Sequence, residues 1–215
     1  MCPNQLKKLP KEWEDALDLV RHNICDAKKF MLIKRAFSNV LLAHRNVNSL
    51  RNSFLNAMSC ATIITFYKVV ENNGKKSLVF LLQEVIKTID KKQCITYNLG
   101  SKAKKLASIK KRIKPFRDRV WGHALDFRKP AQGMGIRSEL NLQKLDSYVN
   151  ETEQYFNEII ELLEKMGYPV SRYKIISNSL KDLEAEIDKF LSLNRSALIK
   201  EKPLTKSALL KAKSF

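Results

Sequence analysis

The sequence predicts an all-α fold, and three observations carry that expectation. Apolar residues recur at three- and four-residue spacing along most of the chain, which is the signature of amphipathic helices. No segment shows the strict alternation of a half-buried strand. Only 6 Gly and 6 Pro interrupt 215 residues, and the 44% hydrophobic content suits a folded chain with a core.

Taken in order, Leu9-Pro10 introduces a first helix in which Trp13, Leu17, Val20, Ile24, Ala27 and Met31 share one face. The pattern runs on through Ile33, Phe37, Val40, Leu41 and His44, with a bend expected near Asp26 to Lys29. Asn46 to Ser49 supplies turn-formers and a cap. The next helix is apolar over much of its girth (Leu50, Phe54, Ala57, Met58, Ala61, Ile64, Tyr67, Val70), which marks it as the central one. Asn72-Asn73-Gly74 reads as a turn, and Ser77 as the cap of a helix carrying Leu78, Leu81, Leu82, Val85, Ile86 and Ile89.

Residues 90 to 100 read as a loop closed by Gly100. A basic helix follows from about Ser101 to Ile113, with Leu106, Ile109 and Ile113 inward. Pro115 lacks the N–H that a helix interior requires, so a new segment is expected to start there. In that segment Phe116, Val120, Ala124 and Phe127 give it one anchored face, and PAQGMG (Pro130 to Gly135) ends it. An acidic helix then carries Leu142, Leu145, Val149, Thr152, Phe156, Ile159, Leu163 and Met166 until Gly167-Tyr168-Pro169 stops it. Ser179 to Asp182 resembles a capping box for a last helix with Leu180, Leu183, Ile187 and Phe190. The expected organisation is a bundle over residues 1–168, a C-terminal helix over 169–193, and a basic tail over 194–215.

Charge speaks about partners. The chain holds 40 basic and 22 acidic residues, a formal net charge of +18, which attracts polyanions. The excess is local. Residues 85 to 137 carry 15 Lys or Arg against Asp90, Asp118 and Asp126, whereas residues 138 to 170 carry seven carboxylates against Lys144 and Lys165. No apolar run approaches the roughly 18 residues of a membrane span, and the first residues lack the apolar core of a signal peptide. A cytoplasmic protein with no membrane partner is expected. The four cysteines (Cys2, Cys25, Cys60, Cys94) are scattered without CxxC or His at ligand spacing, so neither a metal nor a disulfide framework is expected.

Chemistry concentrates in KKRIKPFRDRVWGHALDFRK, Lys110 to Lys129, where basic and aromatic residues surround one of three histidines. In a helix Arg119 and His123 lie four apart, and Arg117 projects from the turn beneath. An imidazole titrating near neutral pH can take or supply the proton of a ribose 2′-hydroxyl. Arginine stays charged and offers planar donors to a phosphate that gathers negative charge. Such chemistry needs no cofactor, and DNA, lacking the 2′-hydroxyl, is not a substrate for it. Lys110, Lys111, Arg112, Lys114 and Arg128 are the expected RNA-binding residues, with RNA as partner.

RDRVWGH (Arg117 to His123) followed by Asp126 resembles the motif of the HEPN superfamily: Arg, a polar residue, a short variable stretch, His, and often Asp soon after. Asn48 to Ile89, a wide apolar helix, a polar turn and Ser-Leu-x-x-Leu-Leu, is similar to the abortive-infection (AbiU-like) branch. Asp118 stands where Asn is commoner, and no Tyr follows the His. The resemblance covers about residues 10 to 166. It implies an antiparallel helical bundle that dimerises around the motif, with an extra C-terminal helix here, and two copies forming one cleft in a metal-independent endoribonuclease. It also implies a toxin or phage-defence effector, with an antitoxin or regulatory protein as a further partner. By this resemblance His123 is the base or acid, Arg117 holds the scissile phosphate, and Asp118 orients its neighbours. Arg119 joins them on helical spacing alone. The alternative is a non-catalytic module that binds RNA or another polyanion.

Overall fold

The structure, a computed structural model, describes residues 7–42, 48–71, 75–124, 142–175 and 180–199. Within these, the side chains of 39–42, 48–52, 119–124, 142–143 and 193–199 lie outside the description. Seven α-helices and no strands are found among the described residues: α1 (Lys11–Leu42), α2 (Asn48–Val70), α3 (Leu78–Thr88), α4 (Lys91–Thr96), α5 (Leu99–Ala124), α6 (Leu142–Lys165) and α7 (Lys181–Ile199). The fold is all-α. It divides into two compact units, Met1–Ile176 and Ser177–Phe215.

The first unit is built from the predicted stripes. Leu17, Val20, Ile24 and Ala27 of α1 are fully buried, as are Leu78, Leu81, Leu82 and Val85 of α3. Leu106, Ile109 and Ile113 of α5 meet Val149, Phe156, Ile159 and Leu163 of α6 in the same core. Trp13, Met31 and Leu145 belong to it too. In α2 burial is confined to the second half: Thr62, Ile63, Phe66, Tyr67, Val69 and Val70 are buried, whereas Ala57 is exposed and Phe54, Met58, Ala61 and Ile64 are half-buried. Phe54 stacks tilted on Phe37 of α1, with ring centroids 5.3 Å apart.

By length and composition, Ser53–Val70 of α2 is apolar enough to cross a membrane, with a mean hydropathy of 1.3 over 18 residues. An expectation based on unbroken apolar runs overlooked it. Ser, Thr and a single Asn break the run, and Lys68 is the one charge in the window. Its last turns pack into the protein core.

Between Lys11 and Ala124 three boundaries differ from the sequence reading. Residues 90 to 100 are not a loop. The Asp90 carboxylate caps α4 by accepting the Gln93 N–H at 2.7 Å, and Asn98 makes the left-handed turn (φ 51°) that leads into α5. Gly100 therefore sits inside α5 and closes nothing. The bend near Asp26 to Lys29 is absent as a break, since α1 runs unbroken from Lys11 to Leu42.

Pro115, thirdly, does not start a segment: it lies inside α5. The missing N–H leaves the Lys111 carbonyl without its helical donor, at a typical cost of about 3 kcal/mol. Pro115 is exposed, so water can solvate that carbonyl. Ile109 and Ile113 before it, with half-buried Phe116 after it, are packed on one core and keep the two halves in line.

Ser77 caps α3 as expected, its hydroxyl accepting the Phe80 N–H at 3.2 Å. Gly167 (φ 88°) ends α6 in the left-handed conformation that glycine tolerates. The chain then returns over α1: Tyr168 packs on Trp13 at 5.7 Å, and the Arg172 guanidinium donates to the Glu14 carboxylate at 2.5 Å. The Asn157 side chain fastens Ile175, accepting its N–H at 3.0 Å and donating to its carbonyl at 3.3 Å. Val170, Tyr173 and Ile175 thus belong to the core of the first unit, and the divide falls after Ile176, not at Tyr168. In the second unit α7 continues to Ile199, past the expected helix end before Asn194. The expected features at His44, Asn46, 72–74, 130–135 and 176–179, with the tail from 200 to 215, lie outside the described residues.

If α5 is continuous, replacing Pro115 removes a defect. Pro115→Ala is expected to raise stability by up to about 3 kcal/mol in urea denaturation. An unchanged or lowered midpoint contradicts the helix running through this position.

Candidate functional site

The site is organised by the second half of α5 where it lies along the end of α2. Tyr67 of α2 is 3% exposed, and its ring supports the Arg117 side chain of α5. The guanidinium carbon stands 4.2 Å from the ring centroid, and Nη2 donates to the Tyr67 hydroxyl at 3.3 Å. Such a cation over an aromatic face is worth about 1–2 kcal/mol when partly desolvated. Arg117 also pairs with Asp118, Nε to Oδ1 at 2.8 Å, but the contact lies off the hydrogen-bonding line, so the buried Nε has no hydrogen-bond partner among the described residues. The Tyr67 hydroxyl is pushed up from its ordinary pKa, first by burial and further by the carboxylates of Glu71 and Asp118, against the opposing pull of Arg117. Tyr67 is therefore a neutral phenol at physiological pH, able to accept from the guanidinium.

The helix places the rest of the motif in register without describing it. Residues 119 to 124 form the last turns of α5, but the side chains of Arg119 and His123 lie outside the described ones, and Arg128 and Asp126 lie outside the described residues altogether. Arg117 and Asp118 are the motif residues whose contacts are on view.

The basic residues of α5 separate into two sets. Toward α6, Lys102 meets Glu158 at 2.5 Å and donates to the Tyr97 carbonyl at 2.6 Å. Lys105 faces Glu151 at 3.6 Å, and Arg112 donates to the Tyr148 hydroxyl at 3.1 Å. Glu151 also accepts from the Tyr155 hydroxyl at 2.6 Å, and burial together with that bond pushes the Tyr155 pKa up to about 12. On the remaining surface Lys104, Lys110, Lys111 and Lys114 have no acidic partner among the described residues; Lys110 is half-buried and the other three are exposed.

Of the expected RNA-binding set, Lys110, Lys111 and Lys114 lie together, Arg112 is exposed but turns toward Tyr148, and Arg128 lies outside the described residues; Lys104 is a further exposed lysine near Lys111. Tyr67 was read as one more member of an apolar stripe. A lone Tyr among aliphatic residues, far in sequence from the motif, gave no signal that its ring would carry Arg117. No family model, curated protein or solved structure matches the chain.

The Tyr67–Arg117 contact is directly measurable. Tyr67→Phe keeps the ring and loses the hydroxyl acceptor, an expected cost of about 0.5–1.5 kcal/mol. A double-mutant cycle with Tyr67→Leu and Arg117→Met is expected to give a coupling of about 1–2 kcal/mol in urea denaturation. Additive effects show that the stacking carries no energy.

Proposed function

We propose that the protein is a metal-independent endoribonuclease, acting as a toxin or phage-defence effector of abortive-infection type. Arg117 and His123 of two copies would form its site. One observation supports the reading: Arg117 is held by Tyr67 and Asp118 on the same helix that bears His123, beside lysines with no acidic partner among the described residues. A guanidinium already ordered loses little freedom when it grips a phosphate.

The chemistry of such a site is an internal transfer. The ribose 2′-hydroxyl attacks the adjacent phosphorus and gives its proton to a neutral His123 imidazole. The bond from phosphorus to the 5′-oxygen breaks, a 2′,3′-cyclic phosphate forms, and the leaving oxygen takes a proton from a protonated imidazole, that of the second copy. Arg117 lowers the barrier by neutralising charge that builds on the non-bridging oxygens.

One observation favours a second reading, a non-catalytic polyanion-binding module. Two edges of the Arg117 guanidinium already face Tyr67 and Asp118, as in a structural arginine. The two readings part on His123. Wild type and His123→Ala are expressed side by side, scoring growth arrest and RNA integrity, and the purified proteins are compared with chelator present. The nuclease reading expects cleavage to fall by about 100-fold or more in the variant, with growth restored. Equal RNA degradation, or none by dimeric wild type on several RNAs, supports the binding module.

A further inference from the structure

One edge of α5 carries lysines with no acidic partner among the described residues, up to Asp118, which pairs with Arg117. Seen down the axis, Lys104 and Lys111 lie one above the other at i and i+7, and Lys114 follows three residues on. At 1.5 Å per residue these steps are about 10.5 and 4.5 Å, and Arg117 comes about 4.5 Å further. Lys110 flanks Lys114 one turn earlier, on the side of Arg117 and Tyr67. The opposite edge is different. Lys102 and Lys105 stand against Glu158 and Glu151, so beyond a Debye length of about 8 Å the positive and negative charges cancel. Arg112 keeps its charge but donates to Tyr148.

We propose that this open edge, Lys104, Lys111 and Lys114 with Lys110 beside them, is a track for successive phosphates of one RNA strand. The strand runs along the α5 axis toward Arg117. In placing the cut at the Arg117 end the proposal rests on the nuclease reading, whereas binding along the track does not. The track is one helix wide. A second backbone lying beside the first on the α6 side would pass over the neutralised pairs Lys102–Glu158 and Lys105–Glu151, which offer it no net attraction. The geometry therefore favours a single strand over a duplex, and the ligand is recognised by charge and spacing without base readout.

Counterion release reads this directly. On the His123→Ala background, which keeps the RNA intact, the affinity for a fluorescent single-stranded oligoribonucleotide is measured against salt. Each of Lys104→Gln, Lys111→Gln and Lys114→Gln is expected to flatten the slope of log K against log salt by about 0.7. Lys102→Gln and Lys105→Gln, at equal charge loss and with helicity checked by circular dichroism, are expected to leave it within error, because Glu158 and Glu151 already neutralise those lysines. Equal flattening by all five variants overturns the track in favour of diffuse charge, and tighter binding of duplex RNA overturns the single-strand assignment. Slopes that separate while wild type cleaves no RNA keep the track and remove the nuclease reading. Cleavage lost in His123→Ala with slopes that do not separate does the reverse.

Discussion

The arrangement depends on a basic helix being laid beside an acidic one. α6 carries its apolar residues on one face and carboxylates on both flanks of that face, and both flanks are met by cations. Lys28 and Arg35 of α1 pair with Glu153 and Asp146, while Lys102 and Lys105 of α5 pair with Glu158 and Glu151. Lys28–Glu153 and Lys102–Glu158 are partly buried, whereas Arg35 and Lys105 are exposed partners of half-buried carboxylates. Lys102 and Lys105 line the side of α5 that turns toward α6. Burial of Leu106, Ile109 and Ile113 as one stripe sets both the depth of the helix and its rotation.

That rotation brings Arg117 onto Tyr67. Once Ile109, Ile113 and Phe116 are seated, the position four residues beyond Ile113 falls on the α2 side, where the buried phenol waits. A helix broken at Pro115 would let the last two turns swing independently and would loosen this contact. The continuous helix makes Arg117, the lysines without an acidic partner among the described residues and the backbone of residues 119 to 124 parts of one rod. The separation of neutralised from open lysines along that rod is the feature from which the proposed interaction with RNA is argued.

Much of the fold was legible because burial needs only periodicity. The stripes of α1, α3, α5 and α6 were named residue by residue, and Ser77 and Gly167 were recognised by their side-chain and backbone chemistry. Two of the misreadings share a source, which is treating one residue type as decisive. Pro115 was read as a start although packing on both sides holds the helix through it, and Gly100 was read as an end although Asn98 makes the turn. The site was legible in part. Arg117 and Asp118 stand together as adjacent residues must, but the role of Tyr67, fifty residues upstream, is set by tertiary packing. The sorting of Arg112 from Lys111 depends on which neighbour each helix face meets, and a single helix carries no record of that.

The central claim is that RNA is cut by its own 2′-hydroxyl at a site containing Arg117 and His123. The most direct measurement uses one RNA oligonucleotide cleaved by the wild-type protein, together with the same oligonucleotide carrying a single 2′-deoxy sugar at the cut position. The account predicts a 2′,3′-cyclic phosphate on the product from the first and no cut at that position in the second. Cleavage of both at the same bond would contradict it.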